Sequence, residues 1–191
     1  MDLFKENNEI PNQFLGIING CSLFLKREDL LHPIVSGNKF RKLKYILKKT
    51  ISNKIPVIAT FGGAFSNHLP ATAAAGKKLG LKTIGFVRGE EWKNKIMKSS
   101  TLSFCHSQDM KLVCLSRKAY SKKESSFEVI QTLKKFPKFR LIPEGGTEPL
   151  GVKGCSEILN SKDLEFDIIC SSLGSGGTIA GLIKASSNDQ K

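Results

Sequence analysis

The chain has 191 residues, 40% hydrophobic and 25% charged, with 12 Phe: enough for one packed core or two small ones, and too apolar for a generic disordered tail. No stretch approaches the roughly 18 consecutive apolar residues of a membrane span. The formal net charge of +13 arises from 25 Lys against 5 Arg, spread from Lys5 to Lys191 with no run of five; base readout and phosphate forks favour Arg, so the excess reads as Lys-rich solvated helix faces and speaks against nucleic acid as a partner.

The first thirteen residues carry acids and no apolar core, so no secretory signal is expected. A strand is expected at 22–26, followed by a helix at 39–50. In that helix Phe40, Leu43, Ile46, Leu47 and Ile51 repeat at helical spacing, and Arg41, Lys42, Lys44 and Lys48 take the other face. Strands are next expected at 56–60, 83–87, 111–115, 140–142 and 167–170. Helices at 67–78, 97–107, 121–135, 151–160 and 178–185 fill the intervals and the end of the chain. Strand and helix alternating over short connections imply the α/β class with a parallel sheet. The five Cys (Cys21, Cys105, Cys114, Cys155, Cys170) are an odd set without a C-x-x-C pair or a His at ligand spacing, and read as reduced core thiols of a cytoplasmic protein with no metal site.

Three strand-to-helix loops carry the chemistry-bearing residues: 35–39, 61–68 and 171–178. In open α/β sheets ligands gather where the carboxyl ends of strands meet helix N-termini, so all three are candidates for one site. The last loop places Gly174, Gly176 and Gly177 with the hydroxyls of Ser175 and Thr178 at a helix start, which physically is a phosphate cradle, with a flexible turn as an equal alternative. It is neither a dinucleotide fingerprint, because Ile179 stands where a glycine is needed, nor a P-loop, because no Lys follows the glycines. Lys39 opens a helix next to Arg41, Lys42 and Lys44, all of which would lower its pKa, yet composition alone cannot single it out from 25 lysines. Ser66, Asn67 and His68 offer a hydroxyl, an amide and an imidazole at a helix N-terminus, where capping by Ser66 is an equal alternative.

Taken in order, Leu23 to Asp29, Ser36 to Tyr45, Gly62 to His68 with Ala71 to Gly76, Ile142 to Gly146 and Gly174 to Leu182 resemble the 1-aminocyclopropane-1-carboxylate deaminase and D-cysteine desulfhydrase family. That family lies within the tryptophan synthase β-like, fold type II group of pyridoxal-phosphate enzymes. The resemblance runs from about residue 11 to 185 and implies a two-domain α/β fold with parallel and mixed sheets. Residues 1–47 and 151–191 are then expected in the large cofactor-binding domain, and 48–150 in a small inserted α/β domain. It implies pyridoxal 5'-phosphate as cofactor, with Lys39 forming the Schiff base and later moving protons. Asn67 then holds the ring hydroxyl, and Gly174, Ser175, Gly176, Gly177 and Thr178 hold the phosphate. Ser66 is the implied catalytic serine, and Ser66, Asn67 and His68 contact the substrate. His68 stands where deaminases carry Gln and desulfhydrase-like members often carry His.

The activity so implied is a lyase or deaminase acting on a small amino acid through an external aldimine and a Cα carbanion, in a cytoplasmic protein with a homodimer as the expected assembly. No membrane or metal is implied. Family members continue well past the position of Lys191, in a part that completes the large domain and brings the pyridine-nitrogen partner. An incomplete large domain, and with it a noncatalytic remnant of such an enzyme, is the alternative expectation.

Overall fold

The computed structural model describes Leu3, Phe4 and residues 10–191. A hairpin comes first, pairing β1 (Asn12–Ile18) antiparallel with β2 (Cys21–Lys26). Asn19 and Gly20 turn it with φ of 50° and 80°, the two positive values that a tight two-residue hairpin turn demands. β1 lies ahead of the first strand expected from the sequence.

After α1 (Asn38–Ser52), the chain enters a four-stranded parallel sheet built from β3 (Val57–Gly63), β4 (Lys82–Arg88), β5 (Lys111–Leu115) and β6 (Arg140–Ile142), in the order β5-β4-β3-β6. Between these strands run α2 (His68–Lys78), α3 (Ser100–Ser107), α4 (Arg117–Ser121) and α5 (Phe127–Leu133). α6 (Pro149–Cys155) and α7 (Gly177–Ala185) follow. β3 is buried on both faces, as a central parallel strand must be. Its side chains alternate: Ile58 joins Phe40, Leu43, Ile46, Ala71 and Ala75 beneath α1 and α2, while Val57, Ala59 and Phe61 join Phe86, Tyr120, Val129 and Leu133 on the other face.

Outside the sheet, α1, α6 and α7 stack through glycines. A Cβ at Gly154 would lie 1.8 Å from the Arg41 carbonyl oxygen, and one at Gly181 would lie 2.4 Å from Cys155 Cβ. The three backbones approach because neither position carries a side chain. This stack brings the start of α1 and the start of α7 together.

Several expected elements change. Residues 167–170 form no strand: Ile169 N–H donates to the Lys191 carbonyl and Lys191 N–H to that of Asp167, with no strand beside them among the described residues to continue a ladder. The helix expected at 121–135 divides, because Ser126 is extended (φ −65°, ψ 134°) and splits a short turn from α5. The one expected at 97–107 starts instead at Ser100, capped by Ser99, whose hydroxyl accepts from Leu102 N–H at 3.2 Å. That at 151–160 begins earlier, on Pro149 at the first helical turn, and ends at Cys155. Arg41 and Lys42, expected on a solvated face, are buried at 3% and 1% exposure. Of the five cysteines, all unpaired, only Cys105 and Cys155 are core thiols; Cys21 and Cys170 are exposed. Among the described residues no helix is long and apolar enough to cross a membrane, and no group of His, Cys, Asp or Glu could hold a metal ion.

Candidate active site

β3 has β4 on one side and β6 on the other, so the loop leaving its carboxyl end stands at the point where the sheet order diverges. That loop faces the starts of α1 and α7 across a cleft of about 180 Å³ lined by Lys39, Lys42, Asn67, the 172–176 segment and Thr178, with Asn38 beside them. The cleft therefore draws residues from all three of the loops picked out in the sequence.

Lys39 lies in the first turn of α1, directly after Gly37, whose φ of 58° lets the chain turn into the helix. Its ammonium donates to Asn38 Oδ1 at 3.2 Å, and the Asn38 amide donates to Thr178 Oγ1 at 2.9 Å, tying α1 to the first turn of α7. Burial, reinforced by the nearby Lys42 charge, brings the Lys39 amine down from 10.5 to about 8. Arg41 and Lys44 do not contribute as the sequence suggested: Arg41 is held by Glu28 at 2.8 and 2.9 Å, and Lys44 by Glu157 at 2.6 Å.

Lys42 is the residue that the sequence reading missed. Its ammonium lies 3.3 Å from Thr147 Oγ1 and 3.4 Å from Ser175 Oγ, which are themselves 2.6 Å apart, and among the described residues no carboxylate pairs with it. Burial pushes its pKa down. A buried ammonium held only by hydroxyls is a place prepared for an anion. The backbone around it agrees: Gly176 is left-handed (φ 80°) and starts α7, whose first N–H groups have no partner within the helix, and a Cβ at Gly174 or Gly176 would meet nothing within 4 Å. Gly177 is buried beside Lys42 and Thr147, and does not itself line the cleft. The signal was present as spacing, since Lys42 follows Lys39 by three residues and shares its helix face.

The Ser66–His68 triplet is dispersed. Asn67 lines the Lys39 cleft, Ser66 lines a neighbouring one, and the His68 ring is buried at 1% exposure with Nε2 2.9 Å from Thr60 Oγ1. The His68 side chain lines neither cleft, and its Nδ1 is buried without a hydrogen-bond partner. Burial, then the charges of Lys39 and Lys42, hold the ring neutral with a pKa of about 3. Ser66 Oγ accepts from His68 N–H at 3.3 Å, a local turn contact; the N-cap position of α2 is Asn67, without a side-chain cap, and not Ser66 as the sequence offered.

Residues 10–190 match the family model described as "Pyridoxal-phosphate dependent enzyme". The chain is 38% identical over 183 residues to the Thermotoga maritima "Putative 1-aminocyclopropane-1-carboxylate deaminase", a match covering 90% of this chain and 57% of that one. It is 32% identical over 192 residues to the "Bifunctional D-cysteine desulfhydrase/1-aminocyclopropane-1-carboxylate deaminase, mitochondrial" of Arabidopsis thaliana, covering 87% of this chain and 45% of that one. Among solved structures, a crystal structure of an "ACC deaminase homologue" aligns with a TM-score of 0.81 at 30% identity, over 96% of this chain and 57% of that one. The chain spans about half the length of the curated relatives it matches. A lysine amine lowered into the range of a nucleophile, facing an anion cradle across an α/β cleft, agrees with what the family model finds over nearly the whole chain, which belongs to the pyridoxal-phosphate-dependent enzymes.

Proposed function

We propose that the chain serves a pyridoxal-phosphate-dependent lyase or deaminase that acts on a small amino acid, of the D-cysteine desulfhydrase or 1-aminocyclopropane-1-carboxylate deaminase kind. The observation that carries this reading is the Lys39 amine, desolvated to a pKa of about 8 and sharing one cleft with the buried Lys42 ammonium, which has hydroxyl partners in place of a carboxylate. The residues present fit the cofactor: Lys39 would hold its aldehyde carbon, Asn67 its ring hydroxyl, and Lys42 with Ser175, Thr178 and the backbone from Gly174 to Gly177 its phosphate.

Once bound, pyridoxal phosphate supplies an electron sink that makes the Cα proton of an amino acid acidic. Lys39 Nζ, with a pKa close to neutrality, is suited both to attack a carbonyl carbon as a neutral amine and to carry a proton as an ammonium. Asn38, bonded to Lys39 and to Thr178, keeps that amine directed along the cleft. The neutral His68 ring is anchored on Thr60, and the His68 N–H donates to Ser66 Oγ, which ties the turn to the start of α2. Asn67 in the Lys39 cleft and Ser66 in the neighbouring one are consecutive, and from that turn they would take the substrate carboxylate, with His68 acting through them.

The division of labour follows the same lines. α1, α6 and α7, from residues 1–47 and 151–191, are proposed as part of the cofactor-bearing domain, and the β3–β6 sheet of residues 48–150 as the inserted domain whose Asn67 loop closes on the cofactor. The small-molecule cleft supports an amino-acid substrate and no nucleic acid. Unpaired cysteines support a cytoplasmic location, and a homodimer is the assembly that the family resemblance implies.

Addition of pyridoxal phosphate to the purified chain is expected to raise a visible absorption band that Lys39→Ala abolishes. A chain that takes up no cofactor overturns the reading. Release of sulfide, ammonia and pyruvate from D-cysteine, against release of ammonia and 2-oxobutanoate from 1-aminocyclopropane-1-carboxylate, then sorts the two substrate kinds.

A further inference from the structure

One segment that stands out in the sequence has no part in the chemistry above: Ile142 to Gly146, which leaves β6 and runs through Thr147 towards α6. Gly146 N–H donates to the Pro143 carbonyl at 2.9 Å and closes the segment into a turn. Its outer end is pinned, because Glu144 accepts from the Tyr120 hydroxyl and from Lys123, each at 2.6 Å. Its inner end presses on the anion cradle: a Cβ at Gly145, where φ is 69°, would lie 2.7 Å from Ser175 Oγ.

The turn delivers Thr147 to the same place. Among the described residues Thr147 Oγ1 meets two groups, Ser175 Oγ at 2.6 Å and Lys42 Nζ at 3.3 Å, and Lys42 Nζ also reaches Ser175 Oγ at 3.4 Å. Lys42 and Ser175 line the cleft, whereas Thr147 stands behind them. The direction of each hydrogen bond follows from the groups themselves. An ammonium only donates, and a hydroxyl has one proton and two lone pairs. Lys42 therefore donates to both oxygens, and the contact between the two hydroxyls carries one proton, from one side or the other. If Ser175 supplies it, the hydroxyl that faces the cleft has nothing left to give an anion, and the Thr147 proton has no acceptor among the described residues. If Thr147 supplies it, the Ser175 proton points into the cleft beside the charge of Lys42, polarised by the bond that Ser175 accepts.

We propose that Thr147 is a positioning residue of the anion cradle: its hydroxyl donates to Ser175 Oγ and thereby turns the Ser175 proton onto the phosphate that Lys42 attracts. The proposal rests on the reading of this cleft as the seat of the cofactor phosphate, and it adds a residue from outside the glycine loop. Thr147 touches neither the anion nor the reacting atoms, so its effect passes through Ser175. The turn that carries it is fixed by Tyr120 and Lys123 through Glu144, which places the orientation of the cradle under the control of the β3–β6 sheet.

Calorimetric titration of the full chain with inorganic phosphate reads the cradle without any chemistry at Lys39. Thr147→Val, which keeps the shape and removes the hydroxyl, is expected to weaken phosphate binding about fivefold, and Thr147→Ala to do the same. Thr147→Ser is expected to restore it to within about twofold of the wild type. Ser175→Ala should weaken it about tenfold, and adding Thr147→Val to that variant should change it by less than about twofold, because the hydroxyl through which Thr147 acts is gone. Phosphate binding that is unaffected by Thr147→Val and Thr147→Ala, a loss that Thr147→Ser does not rescue, or a full Thr147→Val effect that persists in Ser175→Ala overturns the proposal. A wild type that binds phosphate yet raises no visible band with pyridoxal phosphate counts against the cofactor reading alone, and one that binds no phosphate overturns both.

Discussion

The two faces of α1 both bury cations and treat them in opposite ways. On the outer face, Arg41 meets Glu28 through Nε and Nη2, and Lys44 meets Glu157. On the inner face, Lys39 meets only an amide carbonyl, and Lys42 only two hydroxyls. Burial of a charge costs several kcal/mol unless a counter-charge and hydrogen bonds offset it. The outer face is therefore closed within the fold, while the inner face keeps a deficit of negative charge, which is where we propose the cofactor phosphate binds. A missing counter-ion, more than the presence of lysine, marks the site.

The strongest way to break this comparison is to remove the outer cation. Arg41→Ala leaves Glu28, whose side chain is 13% exposed, without its guanidinium and is expected to cost about 3–5 kcal/mol in urea unfolding. The Lys39 pKa should be untouched, because Arg41 is not among the groups that lower it.

A second test concerns pH. The folded Lys39 amine has a pKa of about 8 against 10.5 for an unperturbed lysine, so below pH 8 both folded and unfolded states carry the proton and the penalty of burying the charge is present in full. Between pH 8 and 10.5 the unfolded chain binds more protons than the folded one, and stability rises with pH; above that range the penalty is gone. The wild type is thus expected to gain about 2–3 kcal/mol relative to Lys39→Met across that window. A difference that is flat with pH would show that the amine is solvated and the inner face ordinary.

Lys42→Met sharpens the contrast in the other direction. Loss of a buried ammonium that has no carboxylate should leave the unfolding free energy unchanged or raise it, while binding of pyridoxal phosphate weakens by about tenfold or more through loss of a charge-assisted contact. Spectral titration reads the second effect and urea unfolding the first. A variant that unfolds readily yet binds cofactor normally would assign Lys42 to the outer class.

Much of this was legible beforehand, and the rest was not for a definite reason. The edge strands β5 and β6 begin and end where the apolar runs do, and the central β3 and β4, buried on both faces and announced by composition, differ at their ends only. Residues 167–170 have the same composition but no neighbouring strand among the described residues, and a ladder needs two. On α1 the periodic Phe40, Leu43, Ile46 and Leu47 are core as their spacing predicts, whereas Ile51 in the last turn is 45% exposed. Arg41 and Lys42 were read as solvated because their fate is set by distant groups: Glu28 lies 13 positions from Arg41, and Ser175 lies 133 from Lys42. Ser66 and Asn67 are adjacent in the chain, yet the turn into α2 sends them into different clefts. Spacing along a chain does not encode that divergence.

The smallest expected effect completes the comparison. Lys44 is paired with Glu157 as Arg41 is with Glu28, so a count of ion pairs would predict equal costs for removing either. The surroundings differ. Glu157 also accepts the Tyr45 hydroxyl and lies 4.0 Å from Arg41 Nη1, and its side chain is 30% exposed, so Lys44→Gln leaves a carboxylate that still has partners and water. Its cost is expected at about 1 kcal/mol or less, against several for Arg41→Ala, with both read in the same urea series. If the two costs come out equal, the outer face is governed by how tightly α1 packs on α6 at Gly154, and the counter-ion argument must be confined to the inner face, where no carboxylate stands beside Lys42 among the described residues.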